Sequence, residues 1–410
     1  MVAGLLTKEG GTVAFTYGRS YLARADAIAL YLPELPLERG LQPPPSGLAI
    51  AGCIRDAAPD AWGRRVIASR LLSQRGADID VDLLDELTYL LQSGSDRTGA
   101  LDFQSSPREY VPRGESATAS LDDLANAAEL VMRGEPLPPG LDEALLHGSS
   151  IGGARPKAQI TAGGRKLIAK FSLRSDVFDM VKGEFVAMRL AKRVGLDVAE
   201  VSLARAAGRD VLLVERFDRW RAASGWARRM MVSGLTLLGL GDMQGHYASY
   251  EDLCTQIRHR FDDPGATLRE LFGRLVFNVL IGNTDDHARN HAAFWDGRAL
   301  RLTPAYDICP MERSGGEASQ AMFIHGRDRL SRLAACRAAA PGFLLSEQEA
   351  DAVIAAQIQA IREGWEDACR EGEVPQVERR RLWGRVVFNP FAFEGLPEPL
   401  ARLGRQALTS

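Results

Sequence analysis

Leu268, Leu271, Phe272, Leu275, Val276, Val279 and Leu280 recur at the spacing of one helical face, and the chain then turns abruptly polar. The next segment runs Asn283-Thr284-Asp285-Asp286-His287-Ala288-Arg289-Asn290-His291. It sets two carboxylates, two imidazoles and two side-chain amides at the end of a buried helix. Polar groups there are costly unless something bonds them. A capping network would satisfy them. So would a zinc ion held by Asp286, His287 and His291, since positions 287 and 291 are four apart. That reading lacks the glutamate of a His-Glu-x-x-His motif. A catalytic loop is the third use, and it requires partners elsewhere in the chain.

A chain of 410 residues exceeds what one core usually serves, so two or three subdomains are expected. Apolar residues make up 46% and charged residues 25%, as in a soluble globular protein. The net charge of −3 excludes a wholesale nucleic-acid coat, though not a local basic patch. Cys53, Cys254, Cys309, Cys336 and Cys369 include no close pair, which predicts reduced thiols. The apolar start ends at Lys8 and Glu9, too soon for a signal peptide. No apolar run reaches the length of a membrane span. The expected location is the cytoplasm, with no membrane partner.

Alternation around Val13, Phe15, Tyr17, Tyr21 and Leu22 predicts short strands between 11 and 31. Helices are predicted at 60–72 and 81–92, the second with Leu83, Leu84, Leu87, Leu90 and Leu91 on one face. The polar, proline-bearing stretch from Gln104 to Ser120 is a boundary candidate, and Gly134 to Gly140 is a second loop. Ala158 to Thr161 and Lys166 to Phe171 flank a Gly163-Gly164 turn, a hairpin signal. A helix at 183–194 and a buried strand at 211–214 follow. After about residue 231 the pattern is mainly helical, with a long helix at 347–370. The expectation is an α+β fold in three parts: 1–110, 111–230 and 231–410.

Phosphoryl transfer needs a loop to cradle phosphates, a cation to neutralise them, two metal ligands, and a carboxylate to take a proton. This chain offers candidates in the chain order of protein kinases. Ser149-Ser150-Ile151-Gly152-Gly153-Ala154-Arg155-Pro156-Lys157 is a glycine-bearing loop, and Lys170 sits inside an apolar strand. Glu184 opens the next predicted helix. Asp285 and Asn290 are five apart, the separation of base and metal-binding asparagine in the kinase loop. Asp307 follows the strand-like Ala299-Leu300-Arg301-Leu302. Singly, each has a plain explanation: a turn, a snorkelling lysine, a carboxylate at a helix start. In this order they predict a kinase that uses ATP and Mg2+. Zinc at residues 286, 287 and 291 explains neither Lys170 nor the glycine loop.

On these residues the chain resembles the HipA family, the serine/threonine kinase toxins of bacterial toxin–antitoxin modules, over nearly its full length. Arg55-Asp56-Ala57-Ala58-Pro59-Asp60-Ala61-Trp62-Gly63-Arg64-Arg65 and Ser95-Asp96-Arg97-Thr98-Gly99-Ala100-Leu101 look like its small N-terminal domain. Residues 150–157, 169–171, 214–219, 282–290 and 302–307 look like its kinase part. The resemblance implies a bilobal, protein-kinase-like core with a small β-rich N-terminal domain and a mainly helical C-terminal lobe. Asp285 would be the catalytic base, and Asn290 and Asp307 would hold magnesium. Lys170 would contact the ATP phosphates. Gly152, Gly153, Ala154, Arg155, Pro156 and Lys157 would form the phosphate-binding loop. Glu215, Arg216 and Phe217 would meet the adenine through the backbone, with His287 and Tyr306 near the nucleotide. Ser150 would be an autophosphorylation site, where a dianionic group repels the ATP phosphates and switches the enzyme off. Asp286 reads as a supporting or capping acid. The general kinase pattern is departed from in three places. No arginine precedes Asp285, Ile308-Cys309 follows Asp307, and the glycine loop is short.

The resemblance also implies a small helix-turn-helix antitoxin, HipB-like, through which operator DNA would be read. The substrate implied is a bacterial protein whose phosphorylation arrests growth; the better-known members act on an aminoacyl-tRNA synthetase. Arg379-Arg380-Arg381 with Arg385 would touch DNA phosphates in such a complex, unless they form a solvated helix face. Two other functions stand beside this one. The chain would be a catalytically silent corepressor scaffold, or a kinase of small molecules or lipids.

Overall fold

The computed structural model describes residues 1–75, 84–114, 119–138, 140–148, 153, 155–173, 178–223, 225–313 and 315–409. The chain divides into two compact units. Met1–Ser175, Ala204–Val232 and Phe294–Arg298 form the first; Asp176–Leu203, Ser233–Ala293 and Ala299–Ser410 form the second.

In the first unit, Gly4–Glu9 and Thr12–Tyr17 pair antiparallel, and Leu41–Gln42 joins the second strand. Strand structure in the 11–31 region stops at Tyr17, short of the expectation. Arg19–Leu22 is one helical turn, because Leu22 and Ala23 bond back to the carbonyls of Gly18 and Arg19. That turn stacks Tyr21 on Tyr17 at 5.8 Å and lets its hydroxyl donate to the Ile28 carbonyl at 2.9 Å. The helix expected from 81 is described from Glu86, capped by Asp85, which accepts from the Thr88 amide at 2.8 Å. Positions 81–83, with Leu83, lie outside the described residues.

Lys157–Ala162 and Arg165–Phe171 form the predicted hairpin, and Arg209–Glu215 pairs with its second strand. The helices Ala61–Arg75, Leu121–Arg133 and Leu141–Gly148 cover this sheet. Trp62, Val66, Leu124, Val131 and Leu145 share one core with Ala158, Ala169, Phe171 and Val211. Segments 1–110 and 111–230 therefore bury apolar surface together. The polar stretch after Gln104 is tied down by Arg113, which donates to the carbonyls of Ser93 at 3.0 Å and Phe103 at 2.5 Å.

The second unit is mainly helical, as expected. Its principal helices are Met180–Arg193, Tyr250–Arg260, Pro264–Ile281, Glu347–Glu371 and Glu398–Leu408. The first of these, expected in the middle segment, groups with the later helices. Glu347–Glu371 starts at a capping box of Ser346 and Glu349 and buries Ile354, Ile358, Ile361 and Trp365. Sheet-rich and helix-rich regions are separate, which makes the fold α+β. None of the five cysteines forms a disulfide. Among the described residues no helix is long and apolar enough to cross a membrane.

Candidate active site

Helix Pro264–Ile281 delivers the polar segment. Asp263 caps its start by accepting from the Ala266 amide at 3.1 Å, and proline occupies the first turn. Gly282 ends it with φ 75°, and a Cβ there would stand 2.5 Å from the Val386 carbonyl oxygen. Only glycine fits both demands. Asn283 then ties back to Asn278, amide to carbonyl at 2.9 Å and side chain to side chain at 3.0 Å.

The two adjacent aspartates part company at this point. Asp285 is exposed. Its carbonyl accepts from the Asn290 side-chain amide at 3.0 Å and from the His287 backbone at 2.9 Å. Its carboxyl pKa is raised, chiefly by partial desolvation; His287 opposes the shift, and the charges of Asp307 and Asp286 add to it. Asp286 is buried. It accepts from the Tyr250 hydroxyl, meets His291 Nε2 at 2.9 Å and bonds the Asn278 side chain. Burial alone would raise its pKa, but His291, Tyr250 and Asn278 outweigh burial and hold it below the usual range. Asp286 thus has its bonding capacity filled, while Asp285 faces outward.

Asn290 is 8% exposed, and its NH2 end is committed to Asp285. The carbonyl end is the one left to meet a cation. Asp307 holds φ 60°, a left-handed conformation that aspartate tolerates better than most residues. The preceding Ala305 anchors it, donating to the Asp197 carbonyl at 2.8 Å and accepting from the Ala199 amide at 2.9 Å. Tyr306 donates to the Arg289 carbonyl at 2.7 Å, so the Asp307 segment is bonded to the loop. Magnesium keeps several waters and takes one or two protein oxygens beside substrate phosphates. One amide oxygen and one carboxylate fit that demand. Among the described residues no three of His, Cys, Asp and Glu are grouped to hold a metal. Asp286 and His291 of the zinc set are instead paired with each other.

In the first unit, Lys157 and Lys170 stand opposite each other on neighbouring strands. Directly opposed residues share a sheet face. Lys157 is 4% exposed, and its Nζ lies against Gly153, where a Cβ would come within 2.0 Å. Gly153, at φ 112°, keeps that approach open. Trp62 brackets the same stretch. Its amide donates to the Gly153 carbonyl at 3.4 Å and its indole to the Lys157 carbonyl at 2.9 Å. Arg155 is half-buried and Pro156 buried. Ser150, Gly152 and Ala154 lie outside the described residues.

The Arg216 side chain is not free to face a nucleotide. It is 5% exposed and donates to Asp218 at 2.8 and 3.0 Å, to Asp96 at 3.1 Å and to Gln159. Its backbone amide is taken by the Lys166 carbonyl at 2.9 Å. Glu215 lies in the ladder opposite Leu167, and Phe217 packs edge-on to Phe294 at 5.9 Å. Of the basic run, Arg379 pairs with Glu366 at 2.8 Å and Arg381 with Glu312. Those pairs favour a structured helix face there. Tyr250, Asn278 and Trp62 are the site-supporting side chains that sequence reasoning gave no role.

The elements of the two units make this an α+β protein. The chain belongs to the HipA family. The HipA-like C-terminal domain matches residues 149–365, and the HipA N-terminal domain matches residues 1–104. Y4mE of Sinorhizobium fredii is 33% identical over 133 residues, 31% of this chain and 31% of that protein. The serine/threonine-protein kinase toxin HipA of Shewanella oneidensis is 27% identical over 188 residues, 40% of this chain and 43% of the other. The chain thus spans less than half the length of these curated relatives. The structure of Shewanella oneidensis HipA with HipB and operator DNA superposes with TM-score 0.66 at 18% identity. That match covers 99% of this chain and 94% of the other.

Proposed function

We propose that this chain is a serine/threonine protein kinase of the HipA type, using ATP and Mg2+. One observation carries the reading. Of two adjacent aspartates, Asp286 is buried and fully bonded, while Asp285 is exposed, raised in pKa, and joined through its carbonyl to Asn290. A carboxylate with a raised pKa is a better proton acceptor near neutrality. Asp285 takes the proton of the acceptor hydroxyl. Asn290 and Asp307 would hold the cation, which would supply charge neutralisation for phosphoryl transfer. Lys170 and Lys157, paired on one sheet face, meet the phosphates, with residues 152–157 as the cradle. The Glu215–Phe217 stretch contributes backbone to the adenine, with His287 and Tyr306 near the nucleotide. Ser150 is the autophosphorylation site and off-switch.

The partner in this reading is a HipB-like helix-turn-helix antitoxin, which carries the contact with operator DNA. The substrate is a bacterial protein of the cytoplasm, an aminoacyl-tRNA synthetase being the first to try. Intact mass spectrometry with and without ATP, followed by phosphosite mapping, tests the reading. Phosphate should appear on Ser150 with ATP and Mg2+ and vanish in Asp285→Asn and Asp307→Asn. Incorporation that survives both substitutions sinks the role assignment.

A further inference from the structure

Four polar side chains meet beneath the loop, out of reach of solvent. Tyr250 is 0% exposed, Asp286 2%, and Asn278 and His291 3% each. They come from three elements. Tyr250 is the first residue of helix Tyr250–Arg260, Asn278 lies in the last turn of Pro264–Ile281, and His291 follows the Ala288–Asn290 turn. All converge on one carboxylate: the Tyr250 hydroxyl on Oδ2, His291 Nε2 on Oδ1 at 2.9 Å, and the Asn278 side chain besides. Removing one partner from a buried, bonded charge is expensive, so the cluster has a strongly preferred arrangement. Asn278 holds Asn283 at one end of the loop, and the His291 carbonyl accepts from Gly234 at 2.6 Å at the other. Asp286 is joined by one peptide bond to Asp285, whose carbonyl carries Asn290. A shift of the Asp286 carboxylate therefore moves both.

We propose that Tyr250 is a positioning residue which, through Asp286, fixes the backbone that aims Asp285 and Asn290. The proposal rests on the reading of Asp285 as the base. Tyr250 is fully buried; its hydroxyl acts through Asp286, with His291 Nε2, itself bonded to Asp286, a longer contact at 3.4 Å. Tyr250→Phe removes that hydroxyl and keeps the ring against His291 at 5.5 Å and Phe343 at 6.3 Å. In the full chain with ATP and Mg2+, Tyr250→Phe should lower kcat by roughly 10- to 100-fold, because displacements of about 1 Å suffice for that. KM for ATP should stay within about threefold, the mark of an interaction that serves the chemical step. The double variant with Asp286→Asn should be no slower than Asp286→Asn alone, since both break one device. Without nucleotide, amide exchange at residues 283–291 should quicken in Tyr250→Phe while residues 354–365 keep their protection. A kcat within about twofold of the parent, or rate losses that multiply in the double variant, overturns the proposal. Unchanged exchange at 283–291 overturns it as well. Asp285→Asn separates the two ideas. If that variant still transfers phosphate while Tyr250→Phe loosens the loop, the base assignment falls and the positioning role stands.

Discussion

Asn290 donates its side-chain amide to the carbonyl of Asp285 at 3.0 Å. The proposed cation ligand is thereby fixed to the backbone of the proposed proton acceptor, five residues earlier in the chain. One hydrogen bond sets the spacing between these two candidate groups. It also turns the amide so that oxygen, not nitrogen, faces outward.

Asn290→Ala should lose both functions of that side chain. The Mg2+ concentration needed for half-maximal activity should rise about 10- to 100-fold, the scale seen when groups supporting a metal site are removed. A magnesium titration of phosphate incorporation measures this. An unchanged magnesium requirement would remove Asn290 from the cation site.

As the proposed base, Asp285 would have to be ionised. Its pKa lies above the ordinary aspartate value, through partial desolvation first, against His287, with Asp307 and Asp286 adding. Activity should therefore fall as pH drops through that raised pKa, above the ordinary aspartate value of about 3.9. The acidic limb of kcat/KM against pH reports it. A limb at or below the ordinary value contradicts the assignment.

Much of this site was legible before any coordinates, because its signals are local. The stripe from Leu268 to Leu280 has helical period, and the Gly163-Gly164 turn sits between two alternating runs. Asp285 and Asn290 stand out as candidates only when their spacing is taken with the glycine loop, Lys170 and Asp307 in kinase order. The helix Leu121–Arg133 went unread although its signals were present: a Ser120–Asp123 capping box and Gly134 at φ 71°. Tyr21 and Leu22 looked like strand because two aromatic residues in alternation outweighed the glycine before them. Tyr250 and Asn278 have no local signature. They lie 28 residues apart and matter only because folding brings both to Asp286. The left-handed φ of Asp307 is equally silent in sequence, since aspartate adopts it only where neighbours impose it.

Trp62 is 1% exposed, fills the core of the first unit and donates its indole N–H to the Lys157 carbonyl at 2.9 Å. Trp62→Phe keeps an aromatic ring but leaves that carbonyl without its donor and a small void beside it. The expected cost is roughly 1–3 kcal/mol in a urea melt. Lys157 is also freed from one of its fixtures, so KM for ATP should rise. A variant with parental stability would show that the indole bond contributes nothing.

Asp96 and Asp218 share Arg216 and Arg219, and all four side chains are buried. Desolvation would raise both carboxyls. The two arginines, with Lys166 at 3.0 Å from Asp96, outweigh it and hold them below the ordinary range. A carboxylate whose pKa is depressed by folding contributes stability above its unfolded pKa of about 3.9. That contribution shrinks as pH falls from there toward the folded-state value. Asp96→Asn should cost about 3–5 kcal/mol at pH 7, because Arg216 and Arg219 lose a shared counter-charge while remaining buried. The gap between parent and variant should narrow steadily below about pH 4. Urea melts at neutral and acid pH measure both values. A gap that stays constant across that range would mean Asp96 acts by packing and not by charge.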